Sequence, residues 1–192
     1  MSDLTQEFVN VFCEFVEAVI HQILHLRRIY RPELFERHRL YGITTRRSRH
    51  PDLNEYIHSI AISLKGALLQ GLLNKVTVNV LGQDGMLVER YVLQSKVTVP
   101  KLVDLDPVEL EHALRGFLLK LQFADAWMKP LPQGCAFEVA AYTTDRSSLP
   151  LQLWIEDEEC ERRLGAPEPT ITPIKSAKLG ADIFQMQLFA EC

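Results

Sequence analysis

Apolar residues recur at steps of three and four from Phe8 through Phe12, Phe15, Val16, Val19, Ile23 and Leu26. That spacing lines one face of a 3.6-residue helix and predicts an amphipathic helix from about Leu4 to Tyr30. A second run, Leu53, Tyr56, Ile57, Ile60, Leu64 and Leu68, follows Pro51, whose fixed φ suits a first helical position. The third helix has the clearest start. Asp106 is placed to cap it, Pro107 fits the first turn, Glu109 is spaced to reach back, and Leu105 and Leu110 hold the staple positions. Its stripe continues through Leu114, Phe117, Leu118 and Leu121.

Between the second and third helices the period falls to two. Over Lys75–Leu81, Val76, Val78 and Val80 alternate with Thr77 and Asn79, and Leu87–Gln94 follows the turn Gly82-Gln83-Asp84-Gly85. This pattern predicts a hairpin with one buried face. Cys135–Tyr142 alternates again, with Phe137, Val139 and Ala141 on one side, after Pro130-Leu131-Pro132-Gln133-Gly134. The order helix, helix, hairpin, helix, strand predicts an α+β fold, a small antiparallel sheet with three helices on one face.

After Tyr142 the chain changes character. It carries Pro150, Pro167, Pro169 and Pro173 and the acidic run Glu156-Asp157-Glu158-Glu159. Two pieces look strand-like, Leu151–Ile155 and Ile183–Phe189, the latter alternating Phe184, Met186 and Leu188 with Gln185 and Gln187. Strands at both ends of an irregular tail must pair with something upstream. There is no internal repeat.

The 192 residues are 47% hydrophobic and 24% charged, which suits a single domain whose core needs no metal or disulfide. The net charge of −4 disfavours phosphate neutralisation as the main mode of binding, so no direct contact with nucleic acid is expected. The charge is uneven: 12 Lys/Arg against 10 Asp/Glu in residues 1–100 give +2, and 9 against 15 in 101–192 give −6. From Arg27 to Arg49, eight arginines face only Glu33 and Glu36. A solvated loop after a helix is the expected reading, with a phosphate or acidic-partner patch as the alternative. Glu14, Glu17 and His21 interrupt the apolar stretch Phe8–Leu26, so no membrane span is expected. Cys13, Cys135, Cys160 and Cys192 show no Cys-x-x-Cys spacing, and the acidic start lacks a basic leader, which points to a reducing intracellular compartment.

Candidate chemistry is sparse. His21 and His25 stand four apart on a helix, as metal ligands can, near Glu14 and Glu17, but two ligands are too few and polar-edge histidines are expected. Cys135 opens an alternating strand and is expected to be a buried, inert thiol. No His-Glu-x-x-His, Gly-x-Ser-x-Gly, phosphate-loop or Gly-x-Gly-x-x-Gly pattern occurs, and the last histidine is His112. A protein without catalysis, cofactor or metal is expected.

Several segments resemble, in order along almost the whole chain, the HORMA-domain adaptor subunits of translesion DNA polymerase zeta. They are Arg49-His50-Pro51-Asp52-Leu53-Asn54-Glu55-Tyr56-Ile57, Leu114-Arg115-Gly116-Phe117-Leu118-Leu119-Lys120, Gly134-Cys135-Ala136-Phe137, Pro173-Ile174-Lys175 and Asp182-Ile183-Phe184-Gln185-Met186-Gln187-Leu188. The resemblance implies one HORMA domain, with a core over 1–142 and a mobile safety belt over 143–192. It implies a non-catalytic adaptor that clamps a peptide of the polymerase zeta catalytic subunit under the belt. The adaptor would then bridge it to the C-terminal domain of the Y-family scaffold polymerase. Tyr56 and Trp154 match the contacts to the partner peptide. Ile171, Gln187 and Phe189 match the surface for the scaffold polymerase, with Phe189 replacing an expected tyrosine. Arg115, Lys120 and Ala126 match the third-helix face through which members form homodimers or HORMA heterodimers. The stretch between Tyr142 and Trp154 is shorter than the family's. The resemblance further implies a nuclear protein, present also in the cytoplasm, and recycling by an AAA+ remodeller. The alternative within the fold is a spindle-checkpoint HORMA protein with mitotic partners.

Overall fold

The computed structural model describes residues 3–145, 148–150, 152–155, 169–180 and 183–192. The first helix, α1 (Asp3–Leu26), is the centre of the core, with Val9, Phe15, Ile23 and Leu24 entirely buried. Its Thr5–Leu26 stretch is long and apolar enough to cross a membrane, yet most of it is buried inside the protein. The helix stops four residues before Tyr30 because Arg28 turns to φ 53, so that Ile29 N donates to Leu24 O at 3.1 Å and Arg28 N to His25 O at 3.2 Å. This is a Schellman closure built without glycine.

The arginine-rich stretch is not the solvated loop its composition suggests. After a short 3-10 turn at Pro32–Leu34 it forms a separate antiparallel ribbon, β1 (Phe35–Leu40) and β2 (Ile43–Ser48). Tyr41 and Gly42 both take positive φ, 47 and 73, which is the type I′ geometry that matches ribbon twist. Phe35, Leu40, Thr45 and Ser48 are buried, Arg37 and Arg39 are exposed, and Arg46 and Arg47 are half-buried beside α1, so no apolar run betrays the strands.

The expected second helix is broken into α2 (Pro51–Ser63) and α3 (Lys65–Leu69). Ser63 Oγ donates to Ile60 O at 2.6 Å, and Leu64 N turns to Ala61 O. Such serine back-bonding competes with the helical ladder. The bend keeps Leu64, Ala67 and Leu68 buried.

Strands β3 (Leu73–Leu81) and β4 (Leu87–Val97) form the expected hairpin, closed by Gly82 N to Met86 O at 2.8 Å. α4 (Pro107–Gln122) starts where the capping signature places it, with Asp106 Oδ1 accepting from Val108 N at 2.9 Å. A 3-10 turn at Ala124–Trp127 leads to β5 (Ala136–Thr143). The tail then supplies β6 (Ile171–Leu179) and β7 (Phe184–Glu191). All five strands are antiparallel in the order β5-β3-β4-β7-β6.

The strand expected over Leu151–Ile155 is absent among the described residues: 152 and 153 form a turn, with Leu153 N donating to Pro150 O at 3.0 Å, and 154 and 155 are irregular. β6 takes its place as the partner of the last strand. It accommodates Pro173 because it is an edge strand whose register shifts between Pro173 and Lys175. The acidic run Glu156–Glu159, Cys160 and Pro167 lie outside the described residues.

One sheet face packs on α1 through Val76, Val78, Tyr91, Leu93 and Leu188 against Val16, Val19, Ile20 and Ile23. The other carries a polar file across four strands. Asn79 Nδ2 donates to Glu138 Oε1 at 2.9 Å, Arg90 Nε to Asn79 Oδ1 at 3.0 Å, and Arg90 Nη1 lies 3.6 Å from Glu191 Oε2.

Candidate functional site

Strand β5 ends the sheet on one side, with its ladder running along β3 from Leu73↔Thr143 to Leu81↔Ala136. Its alternation puts Phe137, Val139 and Ala141 opposite Val80, Val78 and Val76, on the helix side. There Phe137 meets two tyrosines edge-on: Tyr56 of α2 at 6.0 Å between centroids and 73°, and Tyr30 at 6.2 Å and 76°. Tyr56 is not an ordinary core residue. It is 48% exposed, and burial, with Glu138 and Tyr30 adding to it, pushes its hydroxyl above the usual range. The ring therefore presents a large apolar body and a protonated donor beside the strand edge.

The chain after β5 passes the turn before β3 and then reaches α2. Thr144 N donates to Leu72 O, and Trp154 Nε1 donates to Ser63 Oγ at 2.8 Å. Ser63 lies seven residues beyond Tyr56, two turns along one side of α2, so Tyr56 and Trp154 sit roughly 10 Å apart along its flank. The tail leaves the sheet at β5 and re-enters at β6, the opposite edge. Four strand spacings of about 4.8 Å separate the two edges, roughly 19 Å. The 14 residues from Ile155 to Pro169 reach about 45 Å when extended. That leaves length for a path around the β5 edge.

At the far edge Ile171, Pro173, Gln187 and Phe189 share the sheet face away from α1, since Ile171 pairs with Glu191, Pro173 with Phe189 and Ser176 with Gln187. Ile171 is 59% exposed and Gln187 is exposed, while Phe189 is half-buried. The three residues named for the scaffold-polymerase surface thus lie together on two neighbouring strands. Arg115, Lys120 and Ala126 lie on α4 and the turn after it, Lys120 and Ala126 exposed and Arg115 half-buried. Leu119, Phe123 and Trp127 stand exposed beside them, an apolar addition that the helical period does not distinguish from ordinary surface positions. The Lys175 side chain of β6 lies over Gly116: a Cβ there would meet the mobile Cε at 2.7 Å, and the ammonium sits 5.8 Å from the Phe117 ring centroid.

The remaining candidates are separated by the fold. His25 stacks edge-on against Phe35, while His21 is buried between α1 and the ribbon with neither ring nitrogen hydrogen-bonded. Among the described residues no three His, Cys, Asp or Glu side chains form a metal-binding group. Cys135 is only half-buried and lies just before β5, with Sγ donating to Pro132 O at 3.2 Å; desolvation still raises its thiol. Cys13, in the core, is pushed up to about 11 by burial. Arg27, grouped by sequence with the solvated arginines, is instead buried against Glu89, Asp125 and the Lys129 carbonyl.

No protein-family model matches the chain. It is 34% identical over 189 residues to the DNA polymerase zeta processivity subunit of Arabidopsis thaliana, covering 96% of this chain and 86% of that one. It is 30% identical over 210 aligned positions to the human mitotic spindle assembly checkpoint protein MAD2B, covering 100% and 97%. Its fold superimposes on a chain of the mitotic checkpoint complex with TM-score 0.81 at 18% identity, over 96% of this chain and 98% of that one. On Caenorhabditis elegans HTP-2 bound to the HIM-3 closure motif the TM-score is 0.73 at 15% identity, over 99% and 91%. The α+β architecture is that of a HORMA domain, and the chain belongs to the HORMA-domain family of DNA polymerase zeta processivity subunits and MAD2B proteins.

Proposed function

We propose that the chain is a non-catalytic adaptor subunit of DNA polymerase zeta that clamps a peptide of the catalytic subunit beside β5. The observation that carries this reading is the position of β5: an edge strand flanked by Tyr56, Phe137 and Trp154. An extended peptide adds to such an edge by main-chain hydrogen bonds, while flanking pockets select its side chains. Residues 1–142 form the body and 143–192 the belt, whose span between the two sheet edges suits encirclement. A peptide held under such a belt leaves only when the belt opens, so its residence time follows local unfolding rather than contact area. HTP-2, which shares the fold, was solved with a closure motif bound.

In the same reading Ile171, Gln187 and Phe189 receive the C-terminal domain of the Y-family scaffold polymerase, and the protein works in the nucleus. Arg115, Lys120 and Ala126, with their exposed apolar neighbours, form the face for a second HORMA domain. The test is binding of the catalytic subunit's proline-containing peptide to wild-type, Tyr56→Ala and Trp154→Ala proteins. Both substitutions weaken binding if the reading is right, and undiminished binding by both contradicts it. The name of the human relative favours a second reading, a spindle-checkpoint role with mitotic partners. Null cells sensitive to cross-linkers but normal in mitotic arrest favour the polymerase role.

A further inference from the structure

Every cationic side chain before Lys65, other than histidine, is an arginine. Of the eight between residues 27 and 49, Arg27 is buried in its ion pair and the other seven are exposed or half-exposed. The ribbon arranges them. Arg37 stands directly opposite Arg46, and Arg39, two residues along β1, stands opposite Thr44. Like charges directly across a ladder destabilise it. Among the described residues no carboxylate lies within ion-pair distance of these three; Glu36 turns instead to Arg49, at 3.6 Å. His25 reports the same field from the helix side, pushed down by burial and then by Arg46 and Arg28.

We propose that this outward face of the β1–β2 ribbon is a sequence-independent contact for the phosphodiester backbone of DNA. Guanidinium groups bind phosphate oxygens in pairs, which suits arginine over lysine. Arg37 and Arg39 lie about 6.8 Å apart along one strand and Arg46 about 4.5 Å across the ladder, so the charges spread over an area rather than along a line. The exposed guanidinium groups sit on the ribbon's face and not along its two strand edges, so side-chain charge is the means of binding, and their spread over two strands suits the repeated phosphates of a polyanion. The overall charge of −4 does not oppose this, because the negative excess lies in residues 101–192. The site is separate from the β5 edge and stands whether or not the peptide reading does.

The experiment is fluorescence anisotropy of the whole protein with a labelled random 20-base-pair duplex, the corresponding single strand and an oligoglutamate peptide, across a salt series. Three phosphate contacts give a log–log salt slope of about −2.7 on duplex, with dissociation constants of roughly 10⁻⁴ to 10⁻⁶ M. Arg37→Gln/Arg39→Gln/Arg46→Gln removes like-charge repulsion, so it keeps its circular dichroism and loses at least tenfold in affinity. Lys101→Gln/Lys129→Gln/Lys178→Gln changes net charge equally and keeps binding. The proposal is overturned by no binding to either nucleic acid at low salt, by equal loss in both triple variants, or by binding to oligoglutamate alone.

Discussion

Trp154 Nε1 donates to Ser63 Oγ at 2.8 Å across 91 residues of sequence, which pins the start of the tail to the last turn of α2. Ser63 Oγ in turn donates to Ile60 O, so the indole is held by an oxygen that is itself fixed. If the tail acts as a belt, this bond is its hinge-side anchor. Trp154→Phe keeps the apolar body and removes the bond, worth about 1 kcal/mol. The expected result is peptide dissociation faster by roughly fivefold with little change in association rate, read by biolayer interferometry. Ser63→Ala gives a similar change, and the double variant is no worse than either single one.

Tyr56 is half exposed and touches Phe137 only edge-on, so its truncation costs the fold little. Tyr56→Ala leaves the urea midpoint within experimental scatter but weakens peptide binding by about 2–4 kcal/mol, the range of a hot-spot aromatic. Calorimetric titration and equilibrium denaturation of the same preparation separate the two effects.

Arg27 and Glu89 behave oppositely. Arg27 Nη2 lies 2.6 Å from Glu89 Oε1 and Nε 3.0 Å from Oε2, both side chains are almost fully buried, and Nη1 binds Asp125 beside the exposed Ala126 and Trp127. Arg27→Met leaves a buried carboxylate uncompensated and is expected to cost about 3–5 kcal/mol in denaturant unfolding. Arg27→Met/Glu89→Leu recovers most of that loss.

His21 makes stability depend on pH. Burial, with Arg47 and His38 adding to it, pushes its imidazole from 6.5 down to about 4. The unfolded chain therefore takes up a proton below 6.5 that the folded one refuses until about 4. Stability is full above 6.5, falls between 6.5 and 4 by on the order of 3 kcal/mol, and levels off below. Glu14, raised by burial and by Glu17, works the other way, since protonation relieves it as the pH falls. His21→Leu flattens the histidine part of the curve in urea titrations at pH 7, 6, 5 and 4.

Much of the body is readable from periodicity. The valine alternation of β3 and the Asp106-Pro107 start of α4 lie where the residue pattern puts them, because each is a local signal. The β1–β2 ribbon is hidden because its outward positions are arginines and its buried ones include Thr45 and Ser48, so composition looks like a loop. β6 is hidden by Pro173, which an edge strand tolerates, and by the small polar residues that follow it. The break at Leu64 and the burial of Arg27 depend on partners 62 or more residues away, or on a serine turn that propensity does not weigh. For the candidate site, Tyr56 and Trp154 are singled out by family resemblance alone, whereas their placement along the flank of α2 follows from the Ser63 bond and the Phe137 contact.

The most direct test is amide hydrogen exchange over residues 136–143, with and without the catalytic subunit's peptide. The account predicts that β5 amides on alternate residues gain protection on peptide addition and keep it for the lifetime of the complex, with Trp154→Phe shortening that lifetime. Peptide binding that leaves the exchange of 136–143 unchanged contradicts strand addition at this edge, and with it the clamp.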